Sequence, residues 1–383
     1  MDNDKLDSPP AVVAAAAVGT AAILVFATMP VLVGGMAERF ALDDLQSGLI
    51  ATLYFSTYAL VALSSPLWVR RWSWRLMGSL GFGLMTISLL TALSANSYTP
   101  ARAAIAVSGL GAGILYPVSL TLASDMLHTE RVFSIKLTVE QLVPAGLLIA
   151  MSLGWFMGQD LTATLTALVV AVIICFLASV GLPRSGSVLK SDAEVQNGNL
   201  LPGFAGLAAL AVFFAGFAGV WVFLERIAVD SGFTAEFTTL WLAVGLITSG
   251  IGPLLAAFLE DRFGRIWPVF FGTSAALASM SLLAGDVTEV AYASVLILLP
   301  LTYYFAIAYV MTIIARADAN GKIAGLMSFA LAVGSAAGPA LFGALRQSGG
   351  PVLMAMGACI VAGALLIMLV GRQAVPASGG ELS

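Results

Sequence analysis

Apolar runs of about twenty residues, parted by short polar punctuation, recur from one end of this 383-residue chain to the other. A helix crosses a hydrocarbon core with about 20 apolar residues, so each run is long enough to span a membrane. The pattern predicts twelve spanning helices, at 11–36, 47–69, 76–95, 100–124, 132–155, 161–182, 201–228, 237–259, 266–285, 290–315, 322–346 and 351–371. Little chain is left for a soluble domain. The fold class is all-α, a twelve-helix membrane protein.

The long polar connection, PRSGSVLKSDAEVQNGNL, divides the runs six and six. Its Ser, Gly, Asn and charged content marks a flexible linker over 184–200, between an N-terminal six-helix bundle (1–183) and a C-terminal one (201–383). The halves also repeat. Glu38-Arg39-x-Ala41-x-Asp43 closes span 1, and Glu225-Arg226-x-Ala228-x-Asp230 closes span 7 at an offset of 187, which Phe26 and Phe213 share. Val69-Arg70 then corresponds to Asp261-Arg262, and Pro144 to Pro339, with offsets of 192 and 195. Three ordered matches in register point to duplication.

Composition agrees: 60% hydrophobic, 10% charged and a mean hydropathy of +0.98 exclude an ordinary soluble domain. The first residues carry Asp2, Asp4 and Asp7 against Lys5, which is not the basic start of a cleaved signal peptide, so span 1 is expected to stay in the mature protein. Orientation follows from Lys and Arg. With both termini in the cytoplasm, only Arg39, Arg102, Arg226 and Arg346 of the 17 basic residues fall outside. That predicts a multi-pass protein of the cell inner (plasma) membrane. Cys175 and Cys359 lie inside apolar runs and read as small apolar residues, not as a disulfide. His128 stands alone in a loop, and no grouping of ligands suggests a metal.

One charged turn stands out between two spans: Asp261-Arg262-Phe263-Gly264-Arg265, with Ala257 four residues before the Asp. It resembles the loop signature of the major facilitator superfamily, small-xxx-Asp-Arg-x-Gly-Arg. The resemblance covers the whole chain and implies a secondary transporter working by alternating access, with two bundles related by an axis along the membrane normal. Spans 1, 4, 7 and 10 would line a central cavity, spans 2, 5, 8 and 11 would form the interface, and spans 3, 6, 9 and 12 would face lipid. The loop would brace the inner gate, with Asp125 and Glu130 as nearby acids. The first-half copy, Ser65-x-x-x-Val69-Arg70-Arg71-Trp72-Ser73-Trp74-Arg75, keeps cations and loses the Asp. The family's span-4 Arg stands where this chain has Ile105, one turn from Arg102, so no proton role transfers from it. Val143-Pro144-Ala145-Gly146 matches the antiporter motif of span 5 poorly. Together with Gly334, Gly338-Pro339 and Gly343 it reads as bendable packing.

Span 5 holds the candidates for coupling to protons or substrate: Lys136 and Glu140, four apart on one helix face, and Gln141. Counted from 132, Glu140 lies roughly 12 Å into the membrane at 1.5 Å per residue, where an ionisable group is a functional candidate by default. The alternative is a structural bridge with Lys136 snorkelling to the surface. Glu38, Arg39, Arg102, Glu225 and Arg226 share the outer level and are candidates for crossed bridges closing an outer gate, or else for interfacial anchors. Phe26, Tyr54, Tyr58, Phe213, Trp221, Tyr303 and Tyr304 are candidate cavity residues, together with Phe214. Each has packing as its plainer role.

The chain therefore reads as a monomeric, non-enzymatic secondary transporter. Its partners would be protons, the lipid bilayer and a small amphipathic organic solute, aromatic or weakly acidic, since few charges in the expected cavity argue against a sugar phosphate or a polyanion; no nucleic acid and no cofactor are expected. No phosphate-binding loop pattern occurs, which argues against ATP drive. Uptake and efflux stay open: the alternatives are a multidrug or metabolite efflux antiporter, and a non-transporting membrane receptor or sensor.

Overall fold

A computed structural model describes residues 8–126, 129–156, 158, 160–184, 201–260, 262–316 and 326–373. Among the described residues there are thirteen α-helices and no strand. Twelve spans are long and apolar enough to cross a membrane. The thirteenth helix arises because span 1 breaks in two, α1 (Pro9–Ala27) and α2 (Met29–Phe40). The other helices are α3 (Asp44–Trp68), α4 (Trp74–Ser94), α5 (Tyr98–Ser124), α6 (Thr129–Ser152), α7 (Leu161–Ala178), α8 (Leu201–Asp230), α9 (Ala235–Leu259), α10 (Ile266–Met280), α11 (Glu289–Arg316), α12 (Met327–Gln347) and α13 (Val352–Gln373). The expected limits fall within several residues of these. The main departures are α2, which runs to Phe40, and α10, which ends at Met280 in a short 3₁₀ turn.

The break at Thr28 has a local cause. Pro30 has no N–H and crowds the carbonyl four residues back, so the helix cannot run straight through it. Thr28 absorbs the fault: its backbone N–H and its Oγ1 both donate to the Leu24 carbonyl, at 3.1 and 2.9 Å. Beyond α2, Ala41 turns left-handed at φ 50°. A capping box then starts α3: Gln46 N–H donates to Asp43 Oδ1 at 2.7 Å, and Asp43 N–H donates to Gln46 Oε1 at 3.3 Å.

Helix ends define two faces. The linker face carries the 69–73 turn, the end of α7 and the start of α8; the far face carries the starts of α3, α5 and α9 and the ends of α8 and α12. Across the two halves α3 packs on α12 and α6 on α9, as expected for spans 2, 11, 5 and 8. Glycines permit this approach: Gly48 sits on the Pro339 carbonyl and Gly343 on the Asp44 carbonyl, with no room for a Cβ at either. Burial follows the expected central and lipid-facing roles at its extremes but not throughout, since span 6 is 56% buried against 50% for span 10, and span 5 only 33%. In α8, 83% of the most apolar window is buried; in α13 the share is 33%, and its Leu365, Leu366 and Leu369 face outward.

Candidate functional site

Four polar constellations sit on this scaffold: a buried ion pair in the first half, a small pocket between the halves, an ionic cluster on the far face and a bridged loop on the linker face.

Lys136 and Glu140, one turn apart on α6, form an ion pair with side-chain exposures of 0% and 2%. Lys136 does not snorkel. Its ammonium lies 4.5 Å from the centre of the Tyr116 ring of α5, a cation–π contact. The wall opposite is Gly19 of α1. A Cβ there would fall on the Glu140 carboxylate, 2.7 Å from Ser119 Oγ and 2.9 Å from Lys136 Cε. The missing side chain is thus what admits the pair between α1, α5 and α6. Ser119 is itself fixed, donating to the Ala15 carbonyl at 2.8 Å. Two desolvated charges held this way compensate each other, and removing one partner from such a pair costs about 3–5 kcal/mol. Gly19, Ser119 and Tyr116 were not singled out from the sequence, since nothing local says which helices enclose Glu140.

Gln141, the next residue, points elsewhere. Successive residues on a helix are about 100° apart, and Gln141 faces α9 of the other half, where Ser249 Oγ lies 2.9 Å from its Oε1. Both line a pocket with Ile23, Phe26 and Ala27 of α1, Phe217 and Trp221 of α8, Leu246 of α9, and Pro300 and Tyr304 of α11. The pocket encloses about 20 Å³, room for a single water. Of the candidate cavity residues, Phe26, Trp221 and Tyr304 belong to it. Tyr54 and Tyr303 are packing residues instead, their hydroxyls spent on the Ala22 and Phe213 carbonyls at 3.4 and 3.0 Å. Phe213 stacks on Tyr303 at 4.6 Å within the second half, and Phe214 is buried beside them. Tyr58 is half-buried, its ring 6.4 Å from that of Tyr116.

On the far face the partners differ from the expected set. Glu38 and Arg39 are exposed; Arg39 donates to the Ala95 carbonyl at 3.2 Å, and Arg102 lies over the Tyr98 ring of its own helix at 4.8 Å. These contacts hold helix ends within the first half. The bridges between halves use Asp44 instead, 3.2 Å from Arg346 Nε and 3.9 Å from Arg226, with Gln347 donating to Asp43 at 3.4 Å. Arg346 also pairs with Asp230 of its own half. Glu225 packs its carboxylate against Gly34 of α2, across the same seam. Asp44 and Arg346 were missed because the repeat drew attention to the ends of spans 1 and 7. The adjoining ends of spans 2 and 11 carried the signal.

On the linker face the first-half loop has recruited a carboxylate from elsewhere. Arg70 forms a two-pronged bridge to Asp125 at the end of α5, at 2.9 and 3.1 Å. In the second-half loop, Asp261 lies outside the described residues, as do His128 and the Glu130 side chain. Gly264 has φ 67°, a left-handed conformation that favours glycine, and Arg262 lies over Phe258 at 5.8 Å. Among the described residues no group of three or more His, Cys, Asp and Glu is placed to hold a metal ion.

Comparison with known proteins matches this geometry to a family. A sequence profile described as the Major Facilitator Superfamily covers residues 14–339. A search of curated proteins gave no match. Among solved structures, the D-xylose-proton symporter superposes with a TM-score of 0.72 at 13% identity, covering 97% of this chain and 99% of that one. A bacterial homologue of the human lysosomal transporter Spinster, inward-facing and occupied, gives 0.69 at 16% identity, over 94% and 96% of the two chains. Identities this low speak for the fold, and the family rests on the profile. With twelve spans, α3 on α12 and α6 on α9, the chain belongs to the Major Facilitator Superfamily.

Proposed function

We propose that the chain is a proton-coupled secondary transporter of a small amphipathic organic solute, working by alternating access between bundles 1–183 and 201–383 joined by the 184–200 linker. Both termini and the linker lie in the cytoplasm, with the protein as a monomer in the cell inner (plasma) membrane. The cluster of Asp44, Arg226, Arg346 and Asp230 then closes the outside.

The observation that carries the coupling is the Lys136–Glu140 pair, buried between three helices with Gly19 as its wall. Glu140 ionised holds Lys136; a proton on Glu140 cancels that attraction and frees the ammonium toward Tyr116. Gln141 transmits the change, because it rides on the same turn of α6 and touches the opposite half through Ser249. Proton uptake thereby alters the seam at which the solute pocket lies. The fold shared with a D-xylose-proton symporter is consistent with this chemistry, though fold alone does not assign it.

The test is proton flux in proteoliposomes against a panel of organic acids and dyes. Its sign separates uptake from efflux. Glu140→Gln keeps shape and hydrogen bonding while removing the titration, so solute exchange should survive and accumulation driven by a pH gradient should vanish. Full pH-driven accumulation by Glu140→Gln refutes the coupling role.

A further inference from the structure

We infer that the solute taken by the pocket between the halves is uncharged and flat, an aromatic or heteroaromatic ring bearing at least one hydrogen-bond acceptor. The inference rests on the transporter reading and refines its substrate class.

The walls supply the shape. Phe217 stacks on Trp221 at 6.0 Å with planes 15° apart and meets Tyr304 edge-on at 5.5 Å and 87°. Phe26 closes the pocket from the other half. Faces and edges of rings set in this way favour another flat ring, offset-stacked or edge-on, over a bulky aliphatic body.

The charge state follows from what is missing among the lining residues: they include no Asp, Glu, Lys, Arg or His. An ionised solute would leave water there without a counter-charge, an unfavourable transfer. The Lys136–Glu140 pair is not among the lining residues, and its charges are matched to each other.

The acceptor follows from Trp221. Its indole Nε1–H is buried with no hydrogen-bond partner, and Trp221 is only 3% exposed. An indole N–H can only donate, so a solute oxygen or ring nitrogen is what satisfies it. Gln141 adds a carboxamide that turns to offer either a donor or an acceptor, with Ser249 beside it. At about 20 Å³ the pocket admits a ring only as the halves part. That is why its walls come from both of them.

The experiment compares solutes of one shape and two charges, benzamide with benzoate and nicotinamide with nicotinate, at neutral pH. Saturable binding to the full-length protein in nanodiscs is measured by equilibrium dialysis, with empty nanodiscs subtracted. Each amide should bind at least about tenfold tighter than its acid. Trp221→Phe keeps a ring and deletes the N–H, and should weaken amide binding about five- to tenfold, the scale of one net hydrogen bond. Its thermal midpoint reports whether it folds, and the amide–acid comparison on the parent protein stands without it. Acids bound as tightly as amides, parental affinity in folded Trp221→Phe, or no saturable binding by any of the four overturns the inference. The coupling reading is tested separately, by accumulation driven by a pH gradient in Glu140→Gln. Full pH-driven accumulation by that variant would remove the coupling reading and leave the substrate class to the binding data.

Discussion

Replacing Gly19 by Ala sets two known effects against each other with opposite signs. Gly19 lies in the middle of α1, where Ala is the better helix former by about 1 kcal/mol. Propensity alone therefore predicts a more stable protein. The new methyl would stand 2.7 Å from Ser119 Oγ and 2.9 Å from Lys136 Cε, and nearer still to the Glu140 carboxylate. Ser119 is tied to the Ala15 carbonyl and cannot withdraw cheaply. Simple overpacking costs about 1–3 kcal/mol. The clash is centred on the carboxylate, however, so relief means driving Glu140 off Lys136, and separating a buried pair costs about 3–5 kcal/mol. Subtracting the propensity gain leaves a net loss of about 2–4 kcal/mol, a fall in Tm of about 2–5 °C for a chain of 383 residues.

Thermal unfolding of the purified protein, followed by tryptophan fluorescence, reads this directly. Accumulation driven by a pH gradient should fall in the same variant. A second substitution supplies the control: Glu140→Asp shortens the side chain by about 1.5 Å, the length of one carbon–carbon bond. The double variant should recover much of the lost stability because the carboxylate no longer meets the methyl. A Gly19→Ala protein as stable as the parent, with intact coupling, would refute the reasoning. It would mean that the closeness of α1 to the pair has no energetic consequence.

Other consequences are tested more briefly. On the far face, a double-mutant cycle on Asp44→Asn and Arg346→Gln should show coupling of about 1 kcal/mol or less in stability, since both side chains are more than a fifth exposed. Cysteine labelling from that face should nonetheless rise in each single variant, and unchanged labelling would make the cluster a mere anchor. On the linker face, Arg70→Ala and Asp125→Ala should impair transport to a similar degree and not additively, because each removes the same two-pronged bridge. Additive losses in transport assays would show that the two residues act separately.

Much of the architecture was legible because hydrocarbon thickness imposes a length on every span, and length survives in a single sequence. Lys136 and Glu140 were legible for a similar reason, being one turn apart on one helix. Gly19 was not, because its significance lies in what α5 and α6 bring against it. The break at Thr28 was hidden inside a continuous apolar run, 11–36, whose composition does not separate α1 from α2. Arg70 read as the remnant of a decayed loop because its carboxylate, Asp125, comes from 55 residues away. Repetition misled in one respect. Matching acidic–basic pairs at the ends of spans 1 and 7 pointed to Glu38 and Arg39, whereas bridging needs residues on helices that touch across the seam. The ends of α2 and α8 do meet there, but Glu38 and Arg39 lie exposed, and the bridges join Asp44 of α3 to Arg346 of α12 and Arg226 of α8.

Arg346 stands between two carboxylates, Asp44 on the opposite half and Asp230 on its own. In the proposed alternating-access cycle Asp44 would leave as the halves part while Asp230 stays, so the guanidinium would never be stripped of a counter-ion. A cation left unpartnered in a partly dry seam would add a few kcal/mol to the opening barrier, and every 1.4 kcal/mol is about a tenfold slower step. With a resident partner the bridge would act as a hand-over between two acceptors, which is compatible with rapid turnover in that cycle. On that reading Asp230 would set the pace: without it Arg346 would grip Asp44 alone of the two carboxylates, and the far face would open late.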